Sequence, residues 1–292
     1  MTTEEDVSQE GHEAPRAFRG GAVVTGGGRG IGLEISRRLV ELGYFVHVTD
    51  VDGGLADEAA AGLGPRAFGS PLDVRSFGAC RAAASRTLRR TGSLEVWVNN
   101  AGVLVTGPAW EQDERTRARM LEVNATGTIN GTVAALDPMR AVGRGHIVNV
   151  VSLAGLVAAP GEAVYAASKH AALGFSVATL ADLRLAGIGG IDISCVCPDG
   201  VWTPMLYDRL EDPNAAASFT GVLLRPEQVA EHVVRLLDHP QPVVAIPGWR
   251  GALVRLFDLM PELSIRYAPR VLARGRRKQR RYLRRARAGK LP

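Results

Sequence analysis

Cysteine is scarce in this chain of 292 residues, which has only Cys80, Cys195 and Cys197. Three thiols exclude a disulfide framework. Cys195-x-Cys197 has no second ligand pair to complete a zinc site, so the alternation reads as two positions on a buried strand, and no metal site is expected. Lysine is equally scarce, three residues against 32 arginines. No apolar run reaches the ~18–20 residues that a membrane span needs. Residues 1–13 are acidic and lack an apolar stretch, which excludes a signal peptide. The expected location is the cytoplasm. Hydrophobic residues make up 46% and charged residues 22%, enough apolar material for a sizeable core and too much for wholesale disorder.

The net charge of +5 is a sum of opposites. Residues 263–292 hold twelve arginines and lysines and no acid, which leaves residues 1–262 at −7. A basic protein in the sense of a nucleic-acid binder does not follow, because the excess sits in one tail.

Apolar spacing then lays out an alternation of strands and helices. Strands are predicted at 22–25, 45–49 (closing on Asp50), 66–72, 95–99, 146–151, 191–196 and 243–246. Between them helices are predicted at 31–42, 55–63, 76–90 (capped by Ser76), 112–136, 162–185 and 225–237. Ile31, Ile35, Leu39 and Leu42 recur at spacings of four, four and three, one face of a helix. Seven strands alternating with helices give an α/β fold with one doubly wound, Rossmann-type parallel sheet covered on both faces. The predicted organisation is an acidic, disordered lead over 1–19, one domain over 20–250 and a basic extension over 251–292. Residues 207–220 break the rhythm and read as a mobile loop.

The turn Thr25-Gly26-Gly27-Gly28-Arg29-Gly30-Ile31-Gly32 stands between the first strand and the first helix, the context in which such a motif carries meaning. Gly26 permits a tight turn, Gly30 lets backbone approach a pyrophosphate, and Gly32 lets the helix pack close to the sheet. Free N–H groups at the helix start then face the anion. Asp50, twenty residues past Gly30, is placed to accept the hydroxyls of an adenosine ribose and to repel a 2′-phosphate. That favours NAD over NADP, while Arg29 in the turn pulls the other way.

Tyr165 and Lys169 share a helix face at a spacing of four. Ser152 follows the fifth strand, so all three meet at the carboxyl edge of the sheet. A phenol titrates near pH ~10, and a nearby ammonium lowers that value. Tyr165 is therefore the expected acid–base, Lys169 its tuning charge, and Ser152 the group that holds the substrate oxygen. Asn124, in the preceding long helix, is placed to hold backbone or water in a proton relay. Lys169 is the only lysine in the first 277 residues.

With these residues in order, the sequence resembles the short-chain dehydrogenase/reductase family. The motifs are Thr25-Gly26-x-x-x-Gly30-Ile31-Gly32, Asp73-Val74, Asn99-Asn100-Ala101-Gly102, Asn124, Ser152, Tyr165-x-x-x-Lys169 and the stretch from Pro198 to Thr203, spread over about residues 20–250. The resemblance implies a nicotinamide cofactor and an Asn–Ser–Tyr–Lys tetrad. It implies that Asp73 and Val74 border the adenine and that Asn100, Ala101 and Gly102 line the cofactor. It also places Lys169 on the nicotinamide ribose and Pro198, Val201 and Thr203 against the nicotinamide. It further implies a homodimer or homotetramer joined through the helices at 112–138 and 162–185 and the last strand. One departure stands out: Asp199 occupies the place of the family's usual glycine, either tuning the substrate or capping the next turn.

Residues 153–157, Trp202, Met205, Leu206 and the loop to Thr220 are the expected substrate pocket. Their apolar character points to a steroid-, terpenoid- or lipid-like secondary alcohol or ketone. The tail leaves three readings open: a solvated basic extension, a basic amphipathic helix on an anionic membrane, or docking onto an acidic neighbouring subunit, with nucleic acid disfavoured. Taken together the residues predict an NAD-dependent oxidoreductase acting on CH–OH groups. The rival is a nicotinamide-binding regulatory or scaffold protein whose tail contacts membrane or nucleic acid.

Overall fold

A computed structural model describes residues 17–290. Of the acidic lead predicted over 1–19, residues 1–16 lie outside the described residues. The described chain folds around one seven-stranded sheet: β1 (Gly21–Thr25), β2 (Phe45–Asp50), β3 (Ala67–Pro71), β4 (Val96–Asn99), β5 (Gly145–Val150), β6 (Ile191–Pro198) and β7 (Val243–Ile246). Every neighbouring pair is parallel, in the order β3-β2-β1-β4-β5-β6-β7.

The helices are α1 (Gly30–Glu41), α2 (Gly53–Leu63), α3 (Phe77–Thr91), α4 (Glu114–Leu121), α5 (Gly127–Val142), α6 (Ala163–Leu185), α7 (Pro204–Tyr207), α8 (Pro226–Asp238), α9 (Gly248–Asp258) and α10 (Pro261–Arg287). A strand with apolar residues on both faces must be covered twice, and β1 shows how. Ala22 and Val24 pack with Ile35, Leu39, Val229 and Val233 from α1 and α8. Val23, one residue out of phase, packs with Cys80, Ala135, Met139 and Leu183 from α3, α5 and α6 on the other face. Cys195 and Cys197 are buried on β6 and unpaired, as their alternation implied. Ser76 caps α3, its hydroxyl accepting the Ala79 N–H at 3.2 Å.

Three expectations are corrected. The helix predicted over 112–136 starts later, at Glu114, and runs on to Val142, with one π-helical turn at Glu122–Thr126 between α4 and α5. The segment 207–220 is not an irregular loop. It carries the end of α7 and a run of 3₁₀ turns at Pro213–Phe219, with Ala215, Ala216 and Phe219 fully buried. Nor is the tail a solvated extension. It forms α9 and the 27-residue α10, and α10 packs back on that 3₁₀ segment. A Cβ added at Gly275 would stand 2.2 Å from the Ala216 carbonyl oxygen. The Gln279 amide donates to the Arg209 and Asp212 carbonyls at 3.1 and 2.6 Å. Tyr282 rests against Trp202 and Phe219 with ring centroids 5.5 and 6.3 Å apart. The run of arginines in the sequence does not mark out Gly275, Gln279 and Tyr282, which make this contact.

Candidate active site

In a parallel sheet the crevice for ligands opens where strand order reverses, beyond the carboxyl ends. Here β1 and β4 flank that point, and a cavity of about 1290 Å³ lies there. The glycine turn forms one end. Gly26 has φ +60°, and a Cβ on it would meet the Ala101 Cα at 2.8 Å. One on Gly32 would meet the Gly26 carbonyl at 2.2 Å. Both positions exclude side chains, which keeps the turn tight against the sheet. The Asn100 amide locks the turn from β4, donating to the Thr25 and Gly26 carbonyls at 3.0 and 2.9 Å. The Thr25 hydroxyl oxygen accepts from the Asn100 and Ala101 N–H groups at 3.0 and 3.1 Å.

Gly30 opens α1, and its free side faces Thr203, whose Cγ2 lies 3.3 Å from where a Cβ would be. The result is a side-chain-free cradle at the start of a 12-residue helix. Its unpaired N–H groups suit a diphosphate, so the residues present fit a dinucleotide. Asp50 ends β2 with its carboxylate fixed. One oxygen accepts the Gly28 N–H and the other the Asp52 N–H, both at 3.2 Å. Asp73 is gripped by Arg75 at 2.6 Å, and that guanidinium holds its carboxyl below the usual range.

The other end holds the proton chemistry. Tyr165 and Lys169 project from the first turns of α6, and the Lys169 Nζ lies 5.8 Å from the Tyr165 ring centroid. Lys169 is buried and its ammonium donates to the Val150 carbonyl at 3.0 Å. Burial pulls its pKa down to about 8. Tyr165 departs from expectation. Burial raises its phenol above the ordinary value, the neighbouring Glu162 adds to the rise, and a hydrogen bond with Ser152 opposes it. The predicted lowering by Lys169 is not met, because the ammonium points to backbone rather than to the phenol.

Asn124 lies in the π-helical turn and is fully buried. Its amide nitrogen donates to the Val103 carbonyl at 2.8 Å and to the Ser168 hydroxyl at 2.9 Å, while its amide oxygen accepts the Val103 N–H at 2.8 Å. It holds backbone beside Gly102, where a Cβ would come within 3.3 Å of the Asn124 amide oxygen and 3.7 Å of the Lys169 Nζ. A π-turn widens the helix by one residue, a distortion concentrated at functional sites.

Of the residues singled out in the sequence, Gly26, Arg29, Gly30, Ile31, Asp50, Asp73, Val74, Asn100, Ala101, Gly102, Ser152, Tyr165, Lys169, Pro198, Val201 and Thr203 all line this cavity. Gly32 and Asn124 stand behind its wall. Leu153, Ala154, Val157, Met205, Leu206 and Thr220 line it as well. Trp202 does not, since it turns away to pack on Tyr207 and Tyr282. Asp199 faces the cavity but is tied to its own chain. It accepts the Gly200 N–H at 3.0 Å and the Val222 N–H at 2.9 Å, and it pairs with Arg250 at 3.0 Å.

Sequence reasoning missed two groups. Glu162, one turn ahead of Tyr165, is buried, accepts the Ser218 hydroxyl at 2.5 Å and titrates near 7 because burial penalises its charge. From the tail, Leu253, Phe257, Ile265, Tyr267, Val271 and Arg274 complete the cavity wall. No local motif marks a Glu before a helix, and the residues that dock α10, Gly275, Gln279 and Tyr282, share no residue type that would mark them in the sequence.

Comparison with known proteins agrees with this geometry. The family model for short chain dehydrogenase matches residues 21–214. The chain is 34% identical over 224 residues to a cyclopentanol dehydrogenase of Comamonas sp. (strain NCIMB 9872), covering 74% of this chain and 88% of that one. It is 28% identical over 243 residues to estradiol 17-beta-dehydrogenase 11 of Rattus norvegicus, covering 82% and 79%. Among solved structures, a short chain dehydrogenase/reductase from Burkholderia phymatum in complex with NAD superposes with a TM-score of 0.77 at 28% identity, covering 85% of this chain and 95% of that one.

Proposed function

The chain belongs to the short-chain dehydrogenase family and is an oxidoreductase acting on CH–OH groups with a nicotinamide cofactor; from that premise we propose that it moves hydride between NAD(H) and an apolar secondary alcohol or ketone, with Tyr165 as the proton carrier. One observation carries the reading: Ser152, Tyr165 and Lys169 share a single cavity with the glycine cradle and with a largely apolar far wall. Gly26, Gly30 and the α1 N–H groups would hold the pyrophosphate, Asp50 the adenosine ribose, Lys169 the other ribose, and Val201 and Thr203 the nicotinamide. When bound, that ring supplies or accepts the hydride.

The remaining chemistry is the chain's own. Ser152 and Tyr165 line the same cavity, and hydrogen bonding by Ser152 works against the rise of the phenol pKa, so the two would hold one substrate oxygen between them. Burial keeps the phenol protonated at neutral pH, so in the reducing direction the proton is already in place. As the carbonyl carbon takes a hydride, its oxygen becomes an alkoxide, far more basic than a phenolate. Tyr165 gives up its O–H proton to that oxygen, and Ser152 holds it in line. The phenolate left behind has Lys169 as its nearest cation. In oxidation the same atoms run backwards. The acidic Glu162 resists an ionised phenol at rest, which favours the proton-donor form.

An apolar substrate is supported by Leu153, Val157, Met205, Phe257, Val271 and Leu272 along the wall. It is also supported by the cyclic alcohol and the steroid for which two relatives are named. A pure binding or scaffold role has no use for Tyr165 and Lys169 together. Turnover with NAD on a panel of cyclic, steroidal and small polyol alcohols tests the proposal, with Tyr165→Phe beside wild type. The variant is expected to lose ~10²–10⁴ in kcat while cofactor affinity, read by fluorescence, stays unchanged. Full activity in Tyr165→Phe would remove the acid–base role, and activity confined to polyols would remove the apolar reading.

A further inference from the structure

On the side of the tail, the cavity meets solvent at residues that both line it and stand exposed. Ile265, Tyr267 and Val271, all on the first half of α10, do both. The same corner of the molecule, where α9 turns into α10, leaves large apolar side chains in the open. Leu259 is 80% exposed, Ile265 74%, Trp249 61% and Leu256 53%, with Met260 and Leu263 beside them. An apolar cluster of this kind at a cavity mouth calls for a partner.

The charge around it selects which partner. Along α10, Leu263, Tyr267, Arg270, Arg274, Arg277 and Arg281 recur at spacings of three and four, so they share one exposed face opposite the seam of Gly275 and Gln279. Ten arginines of α10 are exposed, and among the described residues only Arg287 has a carboxylate partner, Glu211 at 2.7 Å. A second copy in two-fold contact would bring an identical arginine face against this one and be repelled. Nucleic acid would use the arginines and leave the apolar corner wet. An anionic lipid surface takes both, headgroups against guanidinium groups and acyl chains against the corner. No helix among the described residues is long and apolar enough to cross a membrane, so such an association is peripheral.

We propose that the α9–α10 corner and the outward face of α10 form a docking surface for an anionic lipid bilayer, with the cavity mouth turned toward the lipid. That substrate is drawn from the lipid rests on the apolar-substrate reading above; the docking itself does not. The test is sedimentation of the full-length protein with phosphatidylcholine vesicles, with and without phosphatidylglycerol, in the absence of substrate. Wild type is expected to bind the anionic vesicles at least about tenfold more tightly than the neutral ones. Leu256→Asp/Leu259→Asp and Arg277→Glu/Arg281→Glu should each abolish that preference while circular dichroism and cofactor affinity stay those of wild type.

Equal and negligible binding to both vesicles overturns the proposal. So does a Leu256→Asp/Leu259→Asp variant that binds as wild type while duplex DNA competes the vesicles away, since the face would then be a plain polyanion site. Concentration-dependent self-association that disappears with Arg277→Glu/Arg281→Glu, without vesicle binding, would assign the face to the acidic body of another copy and also overturn it. If vesicles bind but do not raise turnover of an apolar alcohol, the docking stands and the substrate reading fails separately.

Discussion

Asp50 and Asp199 are two carboxylates at strand ends whose surroundings give them different work. Each Asp50 oxygen accepts one backbone N–H, from Gly28 and from Asp52, and each keeps a lone pair for a ribose hydroxyl. A 2′-phosphate brought to that place would face a fixed negative charge, with Arg29 the nearest exposed counterweight in the turn. NADH is therefore expected to bind at least about tenfold, or ~1.4 kcal/mol, more tightly than NADPH, with Asp50→Ala narrowing the gap. Fluorescence titration checks it, and tighter NADPH binding would reverse the cofactor preference. Asp199, by contrast, has its charge paired with Arg250 and three of its acceptor sites filled from its own chain. It ties the end of β6 to Val222 and to Arg250 on α9, in a pair exposed by only 16% and 8% on its two sides. The reading of Asp199 as a turn cap fits these contacts.

At the scale of elements, the π-turn and the docked tail do the positioning. The π-turn presents the Asn124 amide to both backbone groups of Val103, fixing the stretch after β4 that carries Ala101 and Gly102 along the cavity. The tail is held by a seam, with the Lys278 ammonium donating to the Gly221 carbonyl at 2.7 Å beside it. Gly275 admits the Ala216 carbonyl, and the Gln279 amide adds a second donor to each of two carbonyls, Arg209 and Asp212, that already accept a backbone N–H. A Gly275→Val chain has no room at that contact, and Gln279→Ala removes two hydrogen bonds between the tail and the domain, at about 0.5–1.5 kcal/mol each. Both variants should release α10. Its arginines make trypsin the natural probe, so the tail is expected to be trimmed well before the sheet domain in either variant and slowly in wild type. Equal trimming in all three would show that the seam does not hold the helix.

For the whole molecule, buried titratable groups set the response to acid. His47, wedged between the Thr87 and Ser70 hydroxyls at 2.9 and 2.7 Å, is pushed down by burial to about 3. His146, beside Ser194, is pushed down to about 4. Both are neutral in the fold and charged in the unfolded chain below pH ~6.5. Between ~6.5 and these values the unfolded chain holds more protons, so stability falls as the pH is lowered. Glu162 acts the other way, because its folded pKa near 7 exceeds the unfolded value, and it gains stability on acidification between about 7 and 4.5. Each histidine costs about 2–3 kcal/mol on going from pH 7 to 4.5, and Glu162 returns about as much as one of them. A net loss of about 2 kcal/mol is expected in urea unfolding over that range. His47→Gln should flatten the acid limb and Glu162→Gln should steepen it. A limb unchanged in both would remove these groups as its cause.

Local spacing was sufficient for the parallel sheet, the glycine turn and the Tyr165–Lys169 pair. Strand alternation, the cradle's glycines and a spacing of four each act within a few residues, and chain order alone brings strand ends and helix starts to one edge. The sequence also carried Cys195 and Cys197 as buried strand positions and Ser76 as a cap. It could not carry the protonation of Tyr165, the partners of Asp199, the place of Glu162 or the docking of α10. Those depend on burial and on contacts between residues far apart in the chain. The Gln279 amide meets the Asp212 carbonyl 67 positions away, and Asp199 meets Arg250 across 51. Desolvation and distant pairing exist only once the chain has closed on itself, so only the tertiary structure decided them.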